Sequence, residues 1–275
     1  MMSRGIKIYS MVGMLAHCVQ SDLRDPREIR IMGIRGIKMI EEGDDLVDLI
    51  LEAARRQSTP IRNGDVVVIT SKAVSKSEGR IFKLQEVKPS TLADIIAEDT
   101  EKSPPHVQVI LGEARRIIRL VGHHLITETK NGLIVANSGV DLSNVDGGQS
   151  VVVLPKDPDA SARRIRSGFR RRGLNVGVII TDTHGRPFRR GDINIAIGAA
   201  GIVAISDLRG RMDLHGYRLK VKQIAIADEL AGASELATGS ADEAIPAVIV
   251  RGYTYKVSNK GTKVMIRPLK QNLFV

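Results

Sequence analysis

The chain of 275 residues contains one cysteine, no tryptophan, four tyrosines and four phenylalanines. A lone Cys18 excludes an internal disulfide and points to a reducing compartment, the cytoplasm. So few aromatics leave few platforms on which bases could stack, which counts against a single-strand nucleic-acid binder. Long apolar runs are missing too. Stretches such as Val66–Ile69 and Val176–Ile180 fall far short of the roughly 20 residues that a membrane span needs. Several signatures are also absent: no G-x-x-x-x-G-K-[ST] phosphate loop, no G-x-G-x-x-G after a strand, and no G-x-S-x-G elbow. One cysteine and six scattered histidines make no structural zinc set. Acidic residues are outnumbered, 31 against 41 Lys and Arg, for a net charge of +10. That excess favours anionic partners, whether nucleotides, phosphates, polycarboxylates or nucleic acid.

What is present is an ordinary soluble composition, 43% hydrophobic and 26% charged, rich enough in Leu, Ile and Val to exclude a disordered chain. Residues 1–30 read as an N-terminal extension. Arg4 and Lys7 precede a short apolar stretch, but no small-residue cleavage site follows, so it does not read as a signal peptide. The globular pattern occupies residues 31–275. Ile29–Ile40 reads as a strand, a glycine turn and a second extended piece. Asp44 then caps a helix running to about Gln57. Asp65–Ser71 is a β-branched buried strand. Helices are expected from Pro89-Ser90 to Asp99 and from Pro104 to about Arg119. Asn131-Gly132 marks a hairpin between Leu125–Thr129 and Leu133–Ala136. Ser150–Leu154 is a strand, and Asp157-Pro158 opens a helix that Gly173 ends. Strands follow at Val176–Thr181, Ile193–Ile197, Ile202–Ile205 and Ala247–Val250, with Ile224–Ala237 a strand turning into a helix. Strands and helices mix without a βαβ alternation, which predicts an α+β fold of mixed sheets with packed helices.

Two loops carry the strongest chemistry. Asn137–Asn144 follows the strand ending at Ala136, and Thr181–Gly191 follows Val176–Ile180. Each places an Asp, Asp141 or Asp182, at a strand exit. Such carboxylates either share one or two hard cations, Mg²⁺ or Mn²⁺, or simply cap turns. Thr183 could add a hydroxyl ligand. Arg186, Arg189 and Arg190 bring charge to where phosphate negative charge would build up. Thr70–Arg80 alternates hydroxyls and lysines after a strand, fitting either a polyphosphate contact or a solvated loop. Arg163, Arg164, Arg166, Arg170, Arg171 and Arg172 crowd one helix, as an anionic-substrate patch or a solvated face with Arg near its C-terminus. Thr238–Glu243 either closes over a nucleotide or turns the chain.

These pieces, in order, resemble the F420-0:gamma-glutamyl ligase family. The matching stretches are Gly36–Leu46 (GIKMIEEGDDL), Ser75–Arg80 (SKSEGR), Asn137–Val145 (NSGVDLSNV), Asp157–Arg163 (DPDASAR), Val178–Gly191 (VIITDTHGRPFRRG), Asn194–Gly201 (NIAIGAAG), Ala227–Leu230 (ADEL) and Ile245–Gly252 (IPAVIVRG). The resemblance implies that residues 31–275 are the catalytic region, two interwoven α+β lobes within an intertwined homodimer. It implies a ligase that uses GTP to add L-glutamate, by gamma linkage, to the coenzyme precursor F420-0 through an acyl phosphate, giving F420-1 and F420-2. Mg²⁺ or Mn²⁺ at two sites is implied, with K⁺ as a stimulant, and no nucleic acid or membrane partner. By motif, Asp141 and Asp182 look like ligands of a first metal and Thr183 of a second. Ile37, Lys38, Met39, Ile40, Ser71, Lys72, Lys76 and Asn144 look like GTP contacts. Leu236, Ala237, Thr238, Gly239, Ser240, Ala241, Asp242 and Glu243 look like a further nucleotide segment. Arg189 and Arg190 as catalytic phosphate stabilisers come from their charge and position alone. Ser240 stands where many relatives carry Gln or Glu, a departure in the surroundings of the second metal. The competing readings are a basic nucleic-acid-binding protein using the 163–172 helix, and another metal-dependent phosphoryl or nucleotidyl enzyme on the same scaffold.

Overall fold

The computed structural model describes residues 28–142 and 146–272. Most of the N-terminal extension, Cys18 and Asn144 lie outside the described residues. The main sheet has five strands: β1 (Arg30–Ile34), β2 (Val66–Thr70), β8 (Gly177–His184), β9 (Ile193–Ala200) and β12 (Ala247–Arg251). Their spatial order is β1-β12-β2-β8-β9, and β2 and β8 form its one parallel pair. Both faces of this sheet are covered, which is why its central strands read as unbroken Val and Ile. Alternation sorts the side chains. Val67, Ile69, Val178, Ile180 and Ile249 face α1 (Leu46–Arg56), α2 (Ser71–Ser77) and α5 (Pro158–Arg171). Val66, Val68, Ile179, Val248 and Val250 face α6 (Ile226–Thr238) and the C-terminal segment with Tyr253, Tyr255 and Met265. A register shift opposite Ile180 and Thr181 breaks the alternation in β9, so Ala196 and Ala199 share one core. Gly198 lets α5 seat directly on β9, since a Cβ there would lie 2.4 Å from the Pro158 carbonyl oxygen.

Residues 81–154 build a second, smaller layer between α2 and α5. It contains β3 (Ile81–Lys83) paired with β7 (Ser150–Val152), helices α3 (Thr91–Thr100) and α4 (Pro104–Glu113), and the sheet β4 (Ala114–Val121), β5 (His124–Thr129) and β6 (Ile134–Ala136). Its own core joins Ile96, Val107, Ile110, Leu125, Val140, Val151 and Val153. A two-stranded arm, β10 (Ser206–Asp207) with β11 (Gln223–Ile224), projects from the main layer. The whole is α+β. Among the described residues, no helix is long and apolar enough to cross a membrane.

The sequence expectations meet this fold with identifiable exceptions. The expected helix from Pro104 stops at Glu113, and Ala114–Val121 is a strand instead. Pairing with β5 wins there: Glu128 on β5 binds Arg115 at 3.2 Å and Arg116 at 2.6 Å, and the β-branched Ile117-Ile118 and Val121 suit the sheet. The N-cap of α1 is Asp45, whose carboxylate accepts from the Val47 and Asp48 amides, while Asp44 is held by the Glu41 amide and Lys38. Ile202–Ile205 forms no strand. Ile202 and Ala204 are buried, yet the Val203 amide bonds to the Lys256 carbonyl of the C-terminal segment. Of Thr70–Arg80, weighed as a polyphosphate contact or a solvated loop, Ser71–Ser77 winds into α2 with Thr70 as its cap.

Candidate active site

Because β2 and β8 run parallel and in register, Thr70 lies opposite Thr181 and both chains leave the sheet at the same end. The carboxyl ends of parallel strands are where ligands usually sit in open sheets. Here α2 starts immediately after β2, while β8 runs on to His184. The Ser71 hydroxyl therefore meets Asp182 and donates to its Oδ1 at 2.5 Å. From the next position Lys72 reaches across to Asp141, Nζ to Oδ2 2.7 Å. Asp141 is delivered by the smaller layer. Its amide and carbonyl both pair with Val152 at 2.9 Å. The turn before it is sharp, with Asn137, Ser138 and Gly139 all at positive φ (52°, 54° and 69°). The buried Ser138 hydroxyl fixes that turn, donating to the Ile110 carbonyl and sharing a hydrogen bond with the Thr127 hydroxyl. Asp141 and Asp182, remote in sequence, thus share one end of the main sheet with Ser71, Lys72 and Lys76.

The electrostatics mark this cluster as a place where charge is concentrated. Burial pushes the Asp182 carboxyl up to about 6, helped by the negative charge of Asp141 and opposed by the Ser71 hydrogen bond and by Lys72. Burial lowers the Lys76 ammonium below its usual range, with the neighbouring Lys72 charge acting the same way. His106, at the start of α4, is lowered chiefly by burial and then by Lys102, while Asp141 works in the opposite sense. Ser75 Oγ, His106 Nε2 and Asn137 Oδ1 are buried polar atoms without a hydrogen-bond partner among the described residues. Native proteins leave few such atoms, and His106, which feels the charge of Asp141, fits a polar contact to a ligand at this cluster. His106 escaped sequence reasoning because nothing in Pro104-Pro105-His106 signals it. Only the packing of α4 against the 137–139 turn brings it near Asp141.

Thr183 follows Asp182 but faces the opposite side of the sheet. Its hydroxyl donates to Asn194 Oδ1 at 3.1 Å. The Asn194 amide donates to Glu235 Oε2, and Ser240 donates to Glu235 Oε1. This chain of bonds links Thr183 to the segment Leu236–Glu243 at the end of α6. Burial raises Asp228 and lowers His184, and each opposes the other's shift. In that segment Leu236 is exposed, and the Ala241 amide is held by Glu243. The loop bearing Ile37, Lys38, Met39 and Ile40 approaches α2 from another direction. Ile37 and Ile40 pack on the core and Met39 is exposed. Lys38 pairs with Asp44 at 2.8 Å, and the Gly43 amide donates to the Ser77 carbonyl at the end of α2. Arg189 and Arg190 lie exposed on the loop after β8, which Arg186 closes through the carbonyls of Arg190 and Gly191. Among the described residues, no hydrogen bond or ion pair joins the Arg189 or Arg190 side chain to Asp141 or Asp182.

No group of three His, Cys, Asp or Glu side chains with metal-binding geometry occurs among the described residues. Two carboxylates suffice for Mg²⁺ or Mn²⁺, which keep waters and phosphate oxygens as their other ligands. The donor set of Asp141 and Asp182 fits that chemistry: all oxygen, doubly negative, and electrostatically strained against itself.

Fold and site together define an α+β protein, without a phosphate-binding glycine loop, that gathers acids, lysines and hydroxyls at the ends of two parallel strands. Residues 33–252 match the family model described as F420-0:Gamma-glutamyl ligase, and the chain belongs to that family. It is 43% identical over 249 residues to the coenzyme F420:L-glutamate ligase of Methanothermobacter thermautotrophicus, covering 90% of this chain and 98% of the relative. The protein of the same name from Methanopyrus kandleri is 47% identical over 82% of this chain and 87% of its own. That from Methanocaldococcus jannaschii is 41% identical over 92% and 99%.

Proposed function

We propose that this protein joins L-glutamate, by gamma linkage, to F420-0 at the expense of GTP, through an acyl phosphate. The observation that carries the reading is the convergence of Asp141, Asp182, Ser71, Lys72 and Lys76 at one end of the sheet, in a chain of this family. In the first step a carboxylate oxygen of F420-0 attacks the γ-phosphorus and GDP leaves. In the second the glutamate amine attacks the acyl carbon, phosphate leaves, and the amine gives up its proton. Neither step needs a protein nucleophile; both need charge neutralisation and alignment. Lys72 and Lys76 supply positive charge for phosphate oxygens. Ser71 holds the Asp182 carboxylate in place, and Asp141 and Asp182 would hold Mg²⁺ or Mn²⁺. The cation, when bound, neutralises phosphate charge and polarises the phosphoryl oxygens. Thr183, through Asn194 and Glu235, would couple a second cation to the 236–243 segment, and Ile37–Ile40 would border the nucleotide. K⁺ is a candidate stimulant. A second cycle on the gamma carboxylate gives F420-2.

We assign a homodimer working in the cytoplasm. The projecting arm supports the dimer, since Met212, Leu214, Tyr217 and Val221 are all exposed on it and Leu214 is fully so. The test is a mass-spectrometric assay with F420-0, L-glutamate, GTP and Mn²⁺. Glutamate additions that vanish without GTP or without metal are expected. Absence of additions from folded dimer would refute the reading.

A further inference from the structure

Helix α5 carries five arginines and is capped by a sixth, Arg172, and the fold divides the six. Arg164 pairs with Glu78, and Arg172 pairs with Asp45 and Asp48 at 2.9 and 2.7 Å. Arg166 is buried and spends its guanidinium on the Val176 carbonyl and Asn175 Oδ1, both at 3.0 Å. Arg163, Arg170 and Arg171 are different. All three are exposed, and among the described residues none makes an ion pair; Arg163 feels Asp157 only through space. Positions 163, 166, 167, 170 and 171 recur at helical spacing, so one face of α5 presents them together. They line an open cleft of about 420 Å³, closed by Ala200 of β9 and by Asn259. Asn259 already uses its Oδ1 on the Gly201 amide, which leaves its NH₂ group as a donor.

Among the described residues, no carboxylate lines this cleft. The contrast with the other basic cleft is instructive. There Arg115, Arg116, Lys130 and Arg267 surround Glu128, which binds both Arg115 and Arg116. In the α5 cleft only Asp157, acting on Arg163 through space, offsets the like charges among the described residues, and a bound anion would relieve the remaining repulsion. Guanidinium groups present paired N–H donors matched to the planar oxygens of carboxylate or to phosphate. The place is also separate from the Asp182 cluster. Ala200 pairs with Val178, four residues before Asp182 on β8, so about 13 Å of strand lies between them.

We propose that this cleft is a second anion site, taking a small oxyanion-bearing ligand, phosphate or polycarboxylate, on Arg163, Arg170, Arg171 and the Asn259 amide. The inference does not depend on the ligase reading. The test is calorimetric titration of the full chain in EDTA at fixed ionic strength, with inorganic phosphate in one arm and citrate in the other. Saturable binding near one per chain is expected for at least one probe, and the tighter probe identifies the source of the oxyanion. Replacing Arg163 and Arg170 together by Ser should weaken it by roughly tenfold or more. Arg163→Lys with Arg170→Lys should restore part of it, and Arg171→Ser alone should weaken it several-fold. Lys76→Ala, which alters the other cluster, should leave it intact. Binding of neither probe, or equal binding by wild type and the double Ser variant, would overturn the proposal. So would loss with Lys76→Ala instead. A third titration uses a 20-mer oligonucleotide. Binding by it alone, falling steeply with salt, would overturn the small-anion assignment in favour of nucleic acid.

Discussion

Replacing Asp182 by Asn should make the metal-free protein more stable while abolishing its activity. The carboxyl is raised from 3.8 to about 6, mainly by burial. A shift of about two units corresponds to about 3 kcal/mol, at about 1.36 kcal/mol per unit. The sign follows from which form is favoured. A folded-state value above the unfolded one means that the protonated form is preferred on folding. The associated stability is complete below about pH 4 and is lost as pH rises through about 6. At pH 7.5 the metal-free wild type therefore carries an ionised Asp182 at a cost approaching 3 kcal/mol. Asn keeps an oxygen to accept the Ser71 hydrogen bond but carries no charge. Thermal unfolding in EDTA should show the variant melting about 5–10 °C above wild type at pH 7.5, given about 2–4 °C per kcal/mol for a domain of this size. The gap should shrink to about a third at pH 4.5 and nearly close at about pH 3.5. Divalent cation should then raise the melting temperature of wild type far more than that of the variant, and ligase turnover should fall by roughly a hundredfold or more. A variant less stable than wild type at pH 7.5, or a gap independent of pH, would refute the reasoning.

Lys76→Ala should weaken GTP binding by about tenfold to a hundredfold, the scale of one lost charge-assisted contact, while the protein stays folded. Calorimetric GTP titration with parallel melting curves checks both halves. Arg251→Ala should cost about 3 kcal/mol in denaturant unfolding: it strips the buried Asp65 carboxylate of two hydrogen bonds at 2.7 and 2.8 Å, leaving the Arg62 amide. Gly198→Ala should destabilise by about 1–3 kcal/mol, since its Cβ would press on the Pro158 carbonyl and a backbone atom cannot swing aside. Urea unfolding reads that loss directly.

Much of this molecule was legible where local chemistry and tertiary context agree. The buried β-branched runs at Val66–Ile69 and Val178–Ile180 became the parallel centre of the sheet, and Asp157-Pro158 with Gly173 bracketed α5. The Asn131-Gly132 hairpin formed as expected, with β5 and β6 in register. Failures came where partners distant in sequence decide. Ala114–Val121 follows a helix without a break signal, and only Glu128 and the β5 edge draw it into a sheet. Thr70–Ser77 has the polar composition of a loop, yet Thr70 caps it and the core under Val74 winds it into a helix. The site divided the same way. Asp141 and Asp182 stand out as strand-exit acids, but their joining through Ser71 and Lys72 needs the β2–β8 pairing. The arginines of α5 could not be sorted into paired and unpaired sets from helical phase alone, because their partners Glu78, Asp45 and Asp48 belong to other segments.

The most direct test of the ligase chemistry follows oxygen. F420-0 labelled with ¹⁸O in its terminal carboxylate would be converted with GTP, L-glutamate and Mn²⁺, and the released inorganic phosphate analysed by mass spectrometry. Formation of an acyl phosphate requires one labelled oxygen to leave with the phosphate and one to stay in the new amide. Label appearing in phosphate in step with glutamate addition, and lost in Asp182→Asn, is the result this account predicts. Glutamate addition with unlabelled phosphate would contradict it.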